Sequence, residues 1–194
     1  MKKQKEYDLI VYIGRFEPYH IGHDATVLRA SELSDTVLVL VGSANGPRTI
    51  RNPWNFIERK DMIFANNHAK HLIVSPLNDY TYNEDQWVRN VGAAVNAVKH
   101  SDNNPKIAII GYNKDQTSYY LNKFPQWDFI DMPEYKFFGE RVDSTLIRHM
   151  MFSVFGMPDM SQDWLPAGSK EMTLAFRQTQ DFAKCQAEFN WAED

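Results

Sequence analysis

Residues 14–23 constrain the fold and chemistry of this chain more than any other stretch. They follow an apolar run at residues 9–13 and precede a helical pattern, which predicts a strand, a loop opened by a glycine and a helix start. The first N–H groups of a helix have no partner within it, and the helix dipole favours negative charge there. His20 and His23 flank this position, and Gly22 allows a ligand to approach the backbone closely. Because an imidazole N–H can stabilise an oxyanion, the pattern indicates phosphate binding and nucleotide chemistry. A pair that only caps and packs is the alternative.

Apolar runs and helical patterns alternate along most of the chain. This alternation predicts a doubly wound parallel α/β sheet of about five strands, in which ligands lie beyond the carboxyl ends of the strands. The predicted strands are residues 8–13, 36–41, 72–75, 106–111 and 127–131, and the predicted helices are 22–33, 55–66, 84–99, 116–122 and 143–152.

A change of character after residue 156 divides the chain into a predicted domain of residues 1–156 and a helical extension of residues 157–194. Two short helical patterns, at 170–178 and 181–189, are expected in the extension. They can pack back on the sheet, form a contact between copies of the chain, or link to a further domain. In the first predicted helix, we expect Ala25, Leu28, Ala30 and Leu33 to face inward.

Composition excludes several classes of protein. A hydrophobic content of 43% and a charged content of 24% fit a globular chain, and a net charge of -4 gives no general field for nucleic acid. A small anionic ligand therefore needs local positive charge. We expect a cytoplasmic location without membrane association, since neither a membrane-spanning run nor a signal peptide is found. Cys185 is the single cysteine, and no Cys/His cluster has the spacing of a zinc site.

Three polar segments follow predicted strands or open helices. In the loop after the second strand, we expect at least one of Arg48 and Arg51 to contact phosphate, although both can be solvated charges. In the segment after the third strand, Trp87 can stack on a flat ring or pack in the core. Near residue 144, Asp143 or Ser144 can cap a helix that carries an arginine one turn in.

Two motifs together resemble the paired signatures of the nucleotidylyltransferase superfamily. The first is Gly14-Arg15-Phe16-x-Pro18-x-His20-x-Gly22-His23, and the second is Ser144-Thr145-x-x-Arg148. Within that superfamily the chain is similar, over nearly its whole length, to nicotinamide mononucleotide (NMN) adenylyltransferases of the archaeal type, which bacteria also fuse to Nudix hydrolases. Further similar segments are Gly42-Ser43-Ala44, Arg51-Asn52-Pro53-Trp54, Glu58-Arg59, Pro76-Leu77-x-Asp79 and Gly111-Tyr112-x-Lys114-Asp115.

The resemblance implies a Rossmann-like fold and transfer of an adenylyl group from ATP to NMN, giving NAD and diphosphate. It implies Mg²⁺ held through the phosphates of ATP, with no metal ligands from the protein, and a possible homo-oligomer. His20, His23 and Arg148 are implied to be catalytic. The residues implied around ATP are Gly14, Arg15, Phe16, His20, Gly22, His23, Lys114, Asp115, Ser144, Thr145 and Arg148, and those around NMN are Ser43, Arg48, Asn52, Asp79, Asn83 and Trp87.

Two rival functions stay open at this point. Another nucleotidylyltransferase, acting on phosphopantetheine or using CTP, shares both phosphate motifs and differs in its acceptor loops. A nucleotide sensor without activity would keep the binding loops and lose a histidine. Asp143 departs from the serine or small residue of many relatives, so we expect it to cap the helix. The Nudix signature does not occur in the sequence, and we expect no hydrolase activity from it.

Overall fold

The computed structural model describes residues 5–66, 71–98, 104–112, 123–153 and 163–193. The strands are β1 (Tyr7–Gly14), β2 (Ser34–Val41), β3 (Leu72–Pro76), β4 (Ile107–Gly111), β5 (Asp128–Asp131), β6 (Lys136–Phe137) and β7 (Glu140–Arg141). The helices are α1 (Ile21–Leu33), α2 (Phe56–Ala65), α3 (Glu84–Asn96), α4 (Ser144–Phe152), α5 (Ala167–Phe176) and α6 (Gln180–Glu193). None of the helices within these ranges is long and apolar enough to cross a membrane.

The first five strands form one parallel sheet in the order β3-β2-β1-β4-β5. The predicted five-stranded parallel α/β fold is thus confirmed. Strand order reverses between β1 and β4, and in open α/β sheets ligands bind beyond the carboxyl ends of the strands at such a point. The loop that begins at Arg15 leaves the carboxyl end of β1, so topology assigns it to the binding edge.

The chain divides into two compact units. The first comprises residues 1–14, 25–44 and 68–134 and contains the sheet. Its core is apolar. Strands β1, β2 and β4 consist largely of buried aliphatic side chains, and apolar side chains of α3 pack against them. The core cluster consists of Leu9, Val11, Ile13, Leu38, Leu40, Leu77, Val91, Val95, Val98, Ile109 and Phe124.

The second unit comprises residues 15–24, 45–67 and 135–194. Within it α5 packs on α2, and α6 packs on α4. Asn55 accepts from the N–H of Glu58, whose carboxylate accepts from the N–H of Asn55. This is the reciprocal cap expected at the start of α2. The predicted boundary at residue 156 lies outside the described ranges and stays a prediction, as does the helix predicted at residues 116–122.

Three local expectations differ from the structure. Leu28 is 47% exposed, and Thr26 and Val27 are buried in its place, whereas Ala30 is buried as we expected. Strand β2 begins at Ser34, directly after α1, with no separate turn. The β6–β7 hairpin was not predicted, since two-residue strands leave no periodicity to detect.

Candidate active site

The two histidines of the first motif lie against each other at the start of α1. Their rings stack with centroids 3.6 Å apart and an interplanar angle of 20°. His20 precedes the first helical residue, and its Nδ1 accepts from the backbone N–H groups of Gly22 (3.1 Å) and His23 (3.3 Å). His20 therefore fills the role that Asn, Asp or Ser usually has at an N-cap.

Hydrogen bonding assigns the same tautomer to both rings. The backbone N–H of His20 donates to Nδ1 of His23 at 3.2 Å. Because Nδ1 is an acceptor in each ring, the proton of each neutral imidazole is on Nε2. Burial lowers the pKa of His20 to about 3, and burial followed by the neighbouring His20 lowers the pKa of His23 well below 6.5. At neutral pH the pair thus consists of two neutral N–H donors.

Aromatic side chains and a glycine hold the pair in place. Phe16 is buried, with its ring edge-on to His23 at 4.9 Å, and its φ of 57° is unusual for a bulky residue. Tyr19 stacks on the other side of His23 at 5.7 Å. A Cβ on Gly22 would lie 3.1 Å from the His20 ring and 3.2 Å from Tyr135. Gly22 therefore admits the imidazole to the helix start, and the close approach of a ligand to its backbone stays a prediction.

The second motif contacts the first through two hydrogen bonds within the same unit. The guanidinium of Arg148 donates to the carbonyl of Glu17 at 2.6 Å and to Oγ1 of Thr145 at 3.2 Å. The hydroxyl of Ser144 donates to the carbonyl of Pro18 at 3.2 Å. The structure thus brings together the histidine loop and the start of α4, which are far apart in sequence.

Asp143 is the N-cap of α4, as we expected. Its carboxylate accepts from the N–H groups of Thr145 (2.7 Å) and Leu146 (3.4 Å) and pairs with Arg141 at 2.9 Å. Two of the backbone amides at the start of α4 are therefore already hydrogen-bonded to this carboxylate. The carboxylate also lies close enough to His20 to oppose the fall in the pKa of that ring.

Three arginines concentrate positive charge around this loop. Burial, followed by repulsion from Arg15 and Arg51, lowers the pKa of Arg148 to about 10, against the opposing charges of Glu17 and Asp143. Arg148 nevertheless stays charged at neutral pH. The chain has a net charge of -4, yet these three arginines lie near one another. They provide the local positive charge that a polyanionic ligand requires.

A buried pair of ionisable side chains, which the sequence did not predict, holds the histidine loop in place. Arg59 and Glu17 are each 1% exposed and pair at 3.2 Å, and Arg59 also donates to the carbonyl of Arg15 at 2.9 Å. The Glu17 carboxylate accepts from the N–H of Trp54 at 3.1 Å. Burial raises the pKa of Glu17 to about 8, against the opposing charges of Arg59, Arg148 and Arg15. The sequence signals were the similarity of the Glu58-Arg59 segment to the family and the position of Arg59 one turn after a capping box.

A separate cavity lies in the first unit, at the start of α3. Its volume is about 510 Å³, which suits a small ligand. Trp87 is half-buried, tilted against Phe124 at 6.3 Å while lining the cavity, so both of its predicted roles are compatible with this position. Ser43 donates to Asp79 at 2.6 Å. The lining residues are Asp79, Tyr80, Tyr82, Asn83, Glu84 and Trp87, of which Tyr80, Tyr82 and Glu84 were not predicted.

The remaining predicted residues lie elsewhere. Arg48 forms ion pairs with Glu58 (3.1 Å) and Asp181 (3.2 Å) and donates to the carbonyl of Pro53. Asn52 lies in a tight turn with Thr49, exchanging backbone hydrogen bonds of 3.1 and 3.2 Å. Gly14 ends β1 and accepts from the N–H of Gly42 at 2.8 Å. The predicted adenosine residues, Lys114 and Asp115, lie outside the described residues.

Comparison with known proteins identifies the family. The family profile described as Cytidylyltransferase-like matches residues 11–149. A nicotinamide/nicotinic acid mononucleotide adenylyltransferase of Acinetobacter baylyi is 30% identical over 188 residues, which cover 95% of this chain and 94% of that protein. A nicotinamide-nucleotide adenylyltransferase of Methanosarcina mazei is 38% identical over 84 residues, 41% of this chain and 47% of that enzyme.

A solved structure matches over the same range. It is a bifunctional NMN adenylyltransferase/ADP ribose pyrophosphatase from Francisella tularensis, complexed with AMP and a manganese ion, with 31% identity and a TM-score of 0.80. The match covers 95% of this chain but 53% of that protein, so the chain spans about half its length. The chain belongs to the cytidylyltransferase-like family of nucleotidyltransferases and, within it, to the nicotinamide mononucleotide adenylyltransferases.

Proposed function

We propose that this chain transfers the adenylyl group of ATP to NMN, forming NAD and diphosphate, and so acts in NAD biosynthesis. The observation that carries the proposal is the stacked pair of neutral histidines in a loop whose Glu17 carbonyl accepts a hydrogen bond from Arg148 of the second motif. This arrangement supplies N–H donors and cations without a general base, which is what phosphate-to-phosphate transfer requires.

The reaction needs no proton transfer. An oxygen of the NMN phosphate attacks the α-phosphorus of ATP, the bond from the α-phosphorus to the bridging oxygen breaks, and diphosphate leaves opposite the attacking oxygen. Since the nucleophile is already an anion, the protein has to align two polyanions and stabilise the charge that builds on the α-phosphate and the leaving group. Alignment alone can contribute about 7–11 kcal/mol to lowering the barrier.

We assign most of the contacts with ATP to residues of the second unit. We assign the Nε2–H groups of His20 and His23 to the phosphates, with His23 at the α-phosphate. Arg148, supported by Thr145, takes the β- and γ-phosphates, and Ser144 holds the loop through Pro18. Arg15 and Arg51 add positive charge at the same place, and the electrostatic proximity of Arg51 to Arg148 supports adding Arg51 to the predicted set. Phe16 acts by holding His23, because its own ring is buried.

We propose that magnesium enters as the Mg–ATP complex. Among the described residues, no group of three or more His, Cys, Asp or Glu side chains can hold a metal ion. Three nearby carboxylates already have partners in the protein: Glu17 pairs with Arg59, Asp143 with Arg141 and the α4 cap, and Asp24 accepts from the Tyr19 hydroxyl. Magnesium prefers phosphate oxygens and water, so the substrate itself can supply its ligands.

The cavity beside α3 is our proposed site for NMN. Trp87 offers an aromatic face for the pyridine ring, and Asp79 and Asn83 offer polar atoms at the rim. We propose that Lys114 and Asp115 contact the adenosine. Arg48 and Asn52 contribute through the shape of their segment, since Arg48 already has two carboxylate partners.

An acceptor panel tests the proposal. Purified protein with ATP and Mg²⁺ is given NMN, nicotinic acid mononucleotide, phosphopantetheine or no acceptor, and diphosphate release is measured. We expect release that depends on NMN, with NAD appearing in equal amount. Release with phosphopantetheine alone would support the rival transferase. Binding of ATP without release on any acceptor would support a sensor and contradict the proposal.

A further inference from the structure

We propose that the last helix, α6, is a brace that fixes the Arg51 segment relative to α4, so that Asp181 and Glu188 are positioning residues for adenylyl transfer. We call α6 in this role the C-terminal brace, and the Arg51 segment is residues 48–54. The inference rests on the proposed function for its kinetic consequence, while the brace itself is a structural relation that can be measured without activity.

One side of the brace contacts the Arg51 segment. Asp181 pairs with Nε of Arg48 at 3.2 Å, and the carboxylate of Glu188 accepts from the backbone N–H of Ile50 at 3.2 Å. The charges of Glu58 and Asp181 raise the pKa of Arg48 although burial works against its charge. Arg48 is thus held between α2 and α6, and its charge is matched by protein carboxylates.

The other side of the brace contacts α4, the helix that carries Arg148. The side-chain amide of Gln186 donates to the carbonyl of Phe152 at 3.2 Å. Phe182 stacks on Phe152 with ring centroids 5.4 Å apart, and Phe189 meets His149 edge-on at 5.1 Å. One helix therefore contacts the end of α4 and the segment that carries Arg51.

The preceding helix, α5, adds a ring to the same contact. Phe176 at its end lies 5.2 Å from the Trp54 ring, and the Arg48 guanidinium lies 5.5 Å from the Phe176 ring. Phe182 meets Phe176 edge-on at 5.8 Å, which joins α5 to the brace. Aromatic contacts of this kind contribute about 0.5–1.5 kcal/mol each beyond the area they bury.

The Arg51 segment needs such contacts because it has little regular structure of its own. It contains a single isolated bridge, between Thr49 and Asn52, and Arg51 at its tip is exposed. Arg51 and Arg148 carry like charges that repel each other, so contacts that hold the segment in place oppose this repulsion. The C-terminal brace provides such contacts. It thereby fixes the spacing of Arg51 and Arg148, the two cations that we propose bind the phosphates.

Amide hydrogen exchange tests the brace directly. The variant is Asp181→Ala combined with Glu188→Ala, which removes both acceptor side chains, since asparagine or glutamine could still accept the same hydrogen bonds. We expect the N–H of Ile50 and its neighbours in residues 48–54 to exchange about tenfold faster, while β1, β2 and β4 are unchanged. Glu171→Ala is the matched control, because Glu171 is an exposed carboxylate of α5 that makes no ion pair among the described residues. Unchanged exchange in the double variant would overturn the proposal.

Kinetics tests whether the brace positions the reactive groups. In the double variant we expect KM for ATP to rise about three- to tenfold, with kcat within about twofold and the unfolding midpoint nearly unchanged, because exposed ion pairs contribute little to stability. Asp181→Glu, which can still pair with Arg48, should restore most of the affinity. Faster exchange with KM unchanged would overturn the positioning role. A wild-type chain inactive on every acceptor would instead refute the proposed function, and the exchange result would stand apart from it.

Discussion

The imidazoles of His20 and His23 stack with centroids 3.6 Å apart, and each uses Nδ1 to accept a backbone N–H from its own loop or helix start. The histidines are therefore part of the helix start as well as donors to a ligand. The same two side chains can therefore cap the helix and bind phosphate, because capping uses Nδ1 and leaves the proton on Nε2.

Replacing His23 by alanine should lower turnover by at least about a hundredfold, the loss expected for one donor to the transition state. Steady-state kinetics with saturating ATP and NMN measures it. His71→Ala is the control, since His71 is an exposed histidine before β3. Near-normal turnover of the His23 variant would remove His23 from the catalytic groups.

Asp143→Asn should tighten ATP binding. Asparagine keeps the N-cap of α4, while a negative charge near His20 and Arg148 is removed. We expect KM for ATP to fall about three- to tenfold with little change in stability. Asp143→Ala, which removes the cap as well, should cost about 1 kcal/mol of unfolding free energy. A higher KM for ATP in Asp143→Asn would show that the carboxylate contributes to binding.

The buried pair of Arg59 and Glu17 should show strong energetic coupling. Arg59→Met removes the 3.2 Å partner of Glu17 and, with it, a charge that lowers the Glu17 pKa, so the buried carboxyl is left either ionised without its partner or protonated. We expect a loss of about 3–5 kcal/mol in unfolding free energy, most of it recovered when Glu17→Gln is added. Denaturant unfolding of both single variants and the double variant measures the coupling. Additive effects would mean that the pair does not act as a unit.

The lowered pKa of His20 predicts a pH-dependent contribution to stability. The unfolded chain binds a proton at this site below pH 6.5, while the folded chain does not until about pH 3. The contribution is thus present above pH 6.5 and is lost as pH falls, by up to about 1.4 kcal/mol per pH unit. The raised pKa of Glu17 changes stability with pH in the opposite direction. The quantity to measure is therefore the difference in unfolding free energy between the wild type and His20→Asn, which keeps an N-cap side chain. A difference that does not change with pH would contradict a buried neutral His20.

Trp87→Ala should raise KM for NMN, because the ring lines the proposed acceptor cavity. A rise of about tenfold or more with kcat less affected is the expected result. Trp127→Ala is the matched control: its ring stacks on Phe124 at 4.4 Å, against the same core, and does not line the cavity. It should reduce stability and leave KM unchanged. Equal kinetic effects of both variants would assign Trp87 to the core alone.

The sheet and the two phosphate motifs could be predicted from the sequence because both leave local patterns in it. Parallel strands buried on both faces read as apolar runs, as in β1 and β2, and glycine, proline and capping residues mark the loops between them. Leu28 was placed wrongly because a helix with apolar residues on several sides does not define its phase.

The buried charges were not accessible in the same way. No role was predicted for Glu17 and no buried partner for Arg59, since charged side chains are rarely buried without a partner and the partner is distant in sequence. Arg48 was predicted around NMN and as one of two arginines that could contact phosphate, because its carboxylate partners, Glu58 and Asp181, become neighbours only when α2 and α6 fold. Tertiary pairing of charges leaves no local pattern.

Transfer of the α-phosphate is the central claim, and isotope labelling tests it most directly. ATP labelled at the α-phosphate is incubated with the chain, Mg²⁺ and NMN, and the products are separated. The account predicts that all transferred label appears in NAD, with unlabelled diphosphate released in equal amount. Label recovered in AMP, or in ATP alone while NMN is unchanged, would contradict adenylyl transfer by this chain.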